Sequence, residues 1–158
     1  MFLVLTHDRR RMLLFNVTTN PTAEWTAEQV VAASPWADPP KNLFRDRDGA
    51  YGAWFQKRVT GLGMKEVLIA AQSPWQNPFG RLIGSLRREC LDHTIVLGKR
   101  YLRRVLRDYF AYDHRWQTQQ SLEMDSPEGR VTHLADRGQV IEIASVGRLH
   151  HHCERVAA

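Results

Sequence analysis

Runs typical of β-strands alternate with helical segments along this chain, and the alternation limits the folds open to it. Two β-rich runs, residues 2–6 and 12–18, flank a polar stretch at residues 7–11 and predict an antiparallel hairpin. A helix, a strand, a helix, a strand and two further helices are predicted to follow. This order favours an α/β domain with helices packed on a mixed sheet. At 158 residues the chain fits one such domain and can bury a core.

Start and stop signals place the individual elements. Thr22 is positioned to cap the first helix, and Pro35 is expected to end it. A second helix is predicted from Tyr51 to Gly61. Strands are predicted at Asn42–Arg45, Glu66–Ala70 and Gln139–Ala144. A basic, histidine-rich tail is expected after the last strand.

The charge balance favours a polyanionic partner. The formal net charge is +5, arginine supplies most of it, and guanidinium groups bind phosphate in a bidentate way. A basic protein without such a partner is the alternative. Cys90 and Cys153 lie too far apart in sequence to form a metal or disulfide framework, so reduced thiols are expected. No apolar run is long enough to cross a bilayer, and we expect a cytoplasmic protein without a membrane partner.

The last two predicted helices each have an apolar face and an arginine-rich face. In the second of them, arginines recur at positions i, i+3, i+4 and i+7. Such a face either contacts DNA phosphates or is simply solvated. The candidate DNA-binding arginines are Arg81, Arg87, Arg88, Arg100, Arg103, Arg104 and Arg107.

One block of sequence carries a family resemblance. It reads Ser73-Pro74-Trp75-Gln76-Asn77-Pro78-Phe79-Gly80-Arg81-Leu82-Ile83-Gly84 and continues through Arg87-Arg88-Glu89-Cys90-Leu91-Asp92-His93. The block resembles the segment of insertion-sequence transposases and retroviral-type integrases that carries the last catalytic carboxylate. Other blocks look like one bacterial transposase group, among them residues 7–11, 15–18, 21–27, 45–48 and 121–127.

The resemblance implies a ribonuclease-H-like integrase core, a mixed sheet flanked by helices. It covers residues 1–127 and implies an N-terminally truncated core that lacks the first strand, with residues 128–158 as a C-terminal basic strand and tail. The implied function is DNA integration and transposition by metal-dependent strand transfer. In this family three carboxylates hold two divalent ions, and hard oxygen ligands suit Mg²⁺ or Mn²⁺.

Asp46 is the candidate catalytic and metal-binding residue, because the run from Asp46 to Tyr51 resembles the one that carries the family's second carboxylate. The alternative is that Asp46 and Asp48 are turn residues without a ligand role. The family's spacing from this Asp to its final Glu ends at Gly80–Arg81, where the chain has no Glu. Glu89 lies too far along the helix to replace it, and Glu66 faces a different part of the sheet.

The resemblance places the first catalytic Asp on a strand before the hairpin, and this chain starts at the hairpin itself, so we expect that Asp to be missing. Asp8 lies in the hairpin turn next to three arginines, where a solvated salt bridge is the expected role. We therefore expect strand transfer to be absent or severely impaired. The alternative function is that of a DNA-binding remnant without enzyme activity, which associates or interferes with an intact transposase. Trp75 and Gln76 are candidates for positioning the DNA backbone, with core packing as the alternative for Trp75. The expected partners are DNA, at element ends and target, and a second copy of the chain or an intact transposase.

Overall fold

The computed structural model describes residues 1–34, 39–71, 78–130 and 138–156. These residues form four α-helices and six short strands. The strands are β1 Phe2–Leu5, β2 Met12–Asn16, β3 Asn42–Arg45, β4 Lys65–Leu68, β5 Gln139–Ser145 and β6 His150–Val156. The helices are α1 Ala23–Ala33, α2 Ala53–Gly61, α3 Pro78–Glu89 and α4 Lys99–Arg115. The mixed α/β class predicted from the sequence is confirmed.

Local signals set several of these boundaries. Helix α1 begins after Thr22, whose side chain accepts a hydrogen bond from the Trp25 N–H at 3.2 Å, as the capping prediction required. The helix ends at Ser34, and the predicted stop at Pro35 lies outside the described residues. Helix α2 begins two residues later than predicted.

The strands pair two by two. β1 pairs with β2, β3 with β4 and β5 with β6, so the described strands form three small sheets and not one mixed sheet. β3 and β4 are parallel, with Leu43 opposite Glu66 and Arg45 opposite Leu68. A parallel pair requires a crossover, which α2 supplies.

The described residues group into two compact units. The first comprises Met1–Val4 and Leu13–Gly84. Its core is an apolar cluster on α1 and α2 together with Met64, against which Phe2 and Leu43 pack. The buried members are Ala27, Val30, Phe55, Val59 and Met64. Burial of these side chains is the main driving force for folding this unit.

The second unit comprises Leu5–Met12 and Ser85–Ala158. Its fully buried large side chains include Leu86, Leu106 and Tyr109. The Arg9 guanidinium ties the unit's two segments together, since it donates to the Asp125 carboxylate at 2.8 Å and to the Ser126 carbonyl at 2.8 Å. Such charge-assisted bonds are stronger than neutral ones.

The predicted C-terminal tail is wrong, because residues 150–156 form strand β6. β6 pairs antiparallel with β5, and its inward-facing histidines stack on two aromatic rings, that of Tyr112 in α4 and that of the C-cap residue Trp116. The His150 ring lies 4.7 Å from the Tyr112 ring, and the His152 ring lies 4.0 Å from the Trp116 ring. Four residues of a helix advance about as far as two residues of a strand, which lets both rings meet partners.

No helix in the described part of the chain is long and apolar enough to span a bilayer. The predicted domain boundary at residue 127 stays a prediction.

Candidate nucleic-acid interface and the Asp46 turn

Asp46 lies directly after β3, on an exposed turn. Its carboxylate accepts the backbone N–H of Asp48 at 3.2 Å, and the Asp48 carboxylate accepts that of Ala50 at 2.8 Å. Asp side chains stabilise turns in this way, by bonding the backbone two residues on. Both carboxylates therefore serve the turn that leads into α2. A ligand role for Asp46 stays a prediction.

The carboxylate of Glu66, on strand β4, forms an ion pair with Arg45. Arg45 Nη2 lies 2.6 Å from a Glu66 carboxylate oxygen, and the two side chains are only 7% and 15% exposed. The guanidinium also lies over the Tyr51 ring, 4.8 Å from its centroid. Burial, with a smaller effect of Asp46 and Asp48, raises the pKa of Tyr51 to about 12. The Arg45–Glu66 pair is thus a structural contact of the β3–β4 sheet.

A two-ion centre needs several converging carboxylates, and the described donors around Asp46 do not fit one. Asp46 contributes a single carboxylate, while Glu66 is neutralised by Arg45. Across residues 1–34, 39–71, 78–130 and 138–156, no three His, Cys, Asp or Glu side chains form a group that could hold a metal ion.

Gly80 lies in the first turn of α3, where the resemblance places the missing carboxylate. It is exposed, and a Cβ atom built there meets nothing within 4 Å. The helix could therefore carry a glutamate side chain at this position without a clash. Packing of the described residues does not explain the glycine.

We expect Gly80→Ala to raise the free energy of unfolding by about 0.5–1 kcal/mol, because glycine is a poor helix former. Gly80→Glu should raise the free energy of unfolding by at least the same amount, since a negative charge is favourable in the first helical turn. Urea unfolding measures both changes. Gly63→Ala is the matched control, and it should destabilise because Gly63 has a φ of +78°, which strains other residues.

Glu89 belongs to a polar cluster of the second unit. Its carboxylate accepts the Tyr109 hydroxyl at 2.9 Å and the Gln117 side-chain N–H at 3.1 Å. Nearby Asp113 is only 5% exposed, and burial, aided by the charge of Glu89, raises its pKa to about 6. The sequence analysis did not predict that Glu89 and Asp113 lie close together. The available signal was an aspartate four residues after Tyr109, on the apolar face of α4.

The seven candidate arginines are all exposed. Arg81 belongs to the first unit, and the other six belong to the second. Arg87 makes a long contact of 3.4 Å with Asp92, between two exposed side chains. The four arginines of α4 follow one face of the helix, opposite buried Tyr109. We call Arg100, Arg103, Arg104 and Arg107 the arginine face. Trp75 and Gln76 lie outside the described residues.

A cleft of about 960 Å³ opens beside the C-terminal end of α4 and β6. It is lined by three arginines, Arg115, Arg130 and Arg155, and by three acidic residues, Glu123, Asp125 and Glu154. The positive and negative charges of its walls nearly balance, so the cleft favours no class of charged ligand.

Scans against protein-family models and searches of curated proteins and of solved structures returned no match for this chain.

Proposed function

We propose that this chain is a transposase or integrase catalytic-core protein of DNA integration and transposition, built on a ribonuclease-H-like core, that binds DNA but is impaired in strand transfer. The single observation that carries DNA binding is the arginine face of α4, whose four arginine residues are exposed. The net charge of +5 adds a general attraction for a polyanion.

The arginine face suits a phosphate backbone in length and in chemistry. From Arg100 to Arg107 the helix rises about 10 Å, so its side chains can contact several successive phosphates. Phosphate contacts of this kind position a protein on DNA and carry no sequence information. We therefore propose backbone recognition, with element ends and target DNA as the implied partners.

The incomplete set of carboxylates supports the proposal that strand transfer is impaired. Gly80 stands where the resemblance implies glutamate, and Glu66 is bound to Arg45 and is unsuited to replace it. Asp46 is the residue that would bind Mg²⁺ or Mn²⁺, the ions that the resemblance implies. One carboxylate is fewer than two-ion catalysis uses.

The second candidate is a DNA-binding remnant without enzyme activity, which pairs with or interferes with an intact transposase. The observation that favours it is the contrast between an exposed arginine face and an incomplete set of carboxylates. The two candidates differ in one result, the formation of nicked or joined DNA.

We expect Arg104→Gln/Arg107→Gln to weaken binding to a duplex about tenfold or more and to lower the salt slope of log affinity by about 2, because each phosphate contact contributes about 0.9. Fluorescence anisotropy at several salt concentrations measures both quantities. Lys57→Gln/Arg58→Gln removes the same charge from the exposed surface of α2 and should change the slope much less. Equal effects of the two variants would contradict a specific role for the arginine face.

A nicking and strand-transfer assay in Mg²⁺ or Mn²⁺ separates the two candidates. Product that disappears in Asp46→Asn would support a working catalytic core. DNA binding without product would support the remnant. Absence of DNA binding by the unmodified chain would overturn both.

A further inference from the structure

The segment that leads into α4 exposes apolar side chains to solvent. Ile95 is 82% exposed, Leu97 is 83% exposed, and Val96 between them is 44% exposed. Exposure of consecutive branched apolar residues to water is unfavourable and marks interaction sites. We call Ile95 and Leu97 the apolar tip.

The backbone around the apolar tip is held by hydrogen bonds. The Thr94 N–H donates to the Leu91 carbonyl at 3.2 Å, and the Thr94 hydroxyl donates to the Cys90 carbonyl at 2.9 Å. On the other side, Gly98 has a φ of +152°, which other residues avoid, and its carbonyl accepts the Leu102 N–H at 2.9 Å. The segment is thus anchored at both ends.

Packing of the described residues leaves Leu97 unburied. Leu97 precedes the N-cap of α4, where an apolar residue commonly packs against the fourth residue of the helix, here Leu102. At 83% exposure, Leu97 does not bury its side chain in such a contact. Its apolar surface is therefore available to a partner.

Charge identifies the class of that partner. The arginine face begins three residues after Leu97, and exposed Lys99 lies between them. A partner must therefore be polyanionic and also offer apolar surface. DNA offers apolar surface on its base faces, which are accessible only where bases are unstacked or unpaired.

We propose that the apolar tip inserts against unstacked bases of DNA whose phosphates are bound by the arginine face. The preferred ligand is duplex DNA with a local unpaired or readily unstacked site. Side chains such as Ile and Leu wedge between base steps in known DNA-bending proteins. The proposal rests on the proposed DNA-binding function and adds the form of DNA that is preferred.

The test compares two duplexes of equal length and charge, one fully paired and one with a central mismatched bubble. We expect the unmodified chain to bind the bubble about tenfold more tightly, since only there are base faces open. Ile95→Ser/Leu97→Ser should lose this preference while keeping its affinity and salt slope on the paired duplex. A 2-aminopurine base in the bubble should change its fluorescence on binding the unmodified chain, and the double variant should not change it.

Met124→Ser/Leu149→Ser is the matched control, because it removes two other exposed apolar side chains of the second unit. It should retain the preference. Equal binding of both duplexes by the unmodified chain would overturn the wedge and leave DNA binding standing. Absence of binding to either duplex would overturn the proposed function itself. Binding to anionic vesicles, or dimer formation, that is lost in Ile95→Ser/Leu97→Ser would assign the tip to a membrane or to a second copy and would also overturn the wedge.

Discussion

Replacing Arg45 with methionine should lower the free energy of unfolding by about 3–5 kcal/mol, because it leaves the Glu66 carboxylate without its charged partner. The two side chains are 7% and 15% exposed, so water cannot replace the lost guanidinium well. The variant also loses the contacts of the guanidinium with the Tyr51 and Phe55 rings. Urea unfolding of the full chain measures the change.

Two controls make this result specific. Arg47→Met removes an exposed arginine from the same turn and should change stability by less than about 0.5 kcal/mol. Arg45→Met/Glu66→Leu should recover most of the lost stability, since removing both charges of a buried pair is often neutral. A loss below about 1 kcal/mol in Arg45→Met would show that solvent reaches the pair and screens it.

The Arg45–Glu66 pair bears directly on the candidate catalytic site. A carboxylate that stabilises the sheet through a buried ion pair cannot bind a metal ion without giving up that pair. If Glu66 bound a metal ion in place of Arg45, the first unit would therefore lose much of its stability. This is a physical reason to expect that Glu66 does not substitute for the glutamate that the family resemblance implies at position 80.

Sequence patterns located elements whose signals are local. The strand Asn42–Arg45 agrees with its sequence prediction to the residue, because the turn that begins at Asp46 ends it. The exposed arginine face also follows from a local signal, the helical spacing of its members. The cap at Thr22 is of the same kind.

Contacts between residues that are far apart in the sequence could not be predicted from local sequence patterns. Strand β6 contains three successive histidines, which are not strong strand formers, and it depends on pairing with β5 and on stacking of His150 and His152 against α4. The partner of Glu66 was equally hidden, since only the parallel register of β3 and β4 brings Arg45 near it. Tertiary contacts of this kind override local propensity.

The buried Asp113 shows the same limit and allows a second large prediction. Its pKa is about 6 in the folded chain, raised from 3.8 by burial and then by the charge of Glu89. A carboxyl whose pKa rises on folding stabilises the folded state in its protonated form, and this stabilisation is lost as the pH rises from the unfolded value of 3.8 through the raised pKa. At pH 7 the ionised Asp113 therefore costs about 3 kcal/mol of stability.

Asp113→Asn should thus stabilise the protein by up to about 3 kcal/mol at pH 7, and the gain should shrink to about 0.5 kcal/mol by pH 4, where the carboxyl is protonated in the folded state and partly protonated in the unfolded chain. Urea unfolding between pH 4 and pH 8 measures this trend. Asp108→Asn, an exposed change on the same helix, should show little effect at any pH. A gain that does not depend on pH would contradict the buried-charge explanation.

The neighbouring His114 acts in the opposite sense, and the comparison separates the two groups. Its Nε2 accepts the Met12 N–H at 2.7 Å, which requires a neutral ring, and burial lowers its pKa. Protonation of His114 in the unfolded chain therefore lowers stability as the pH falls below about 6.5, the ordinary histidine value. Because His114 is present in both proteins, its effect largely cancels between Asp113→Asn and the unmodified chain. The remaining pH dependence of stability then reports on Asp113. Its buried carboxylate, when ionised, lowers the stability of the folded second unit.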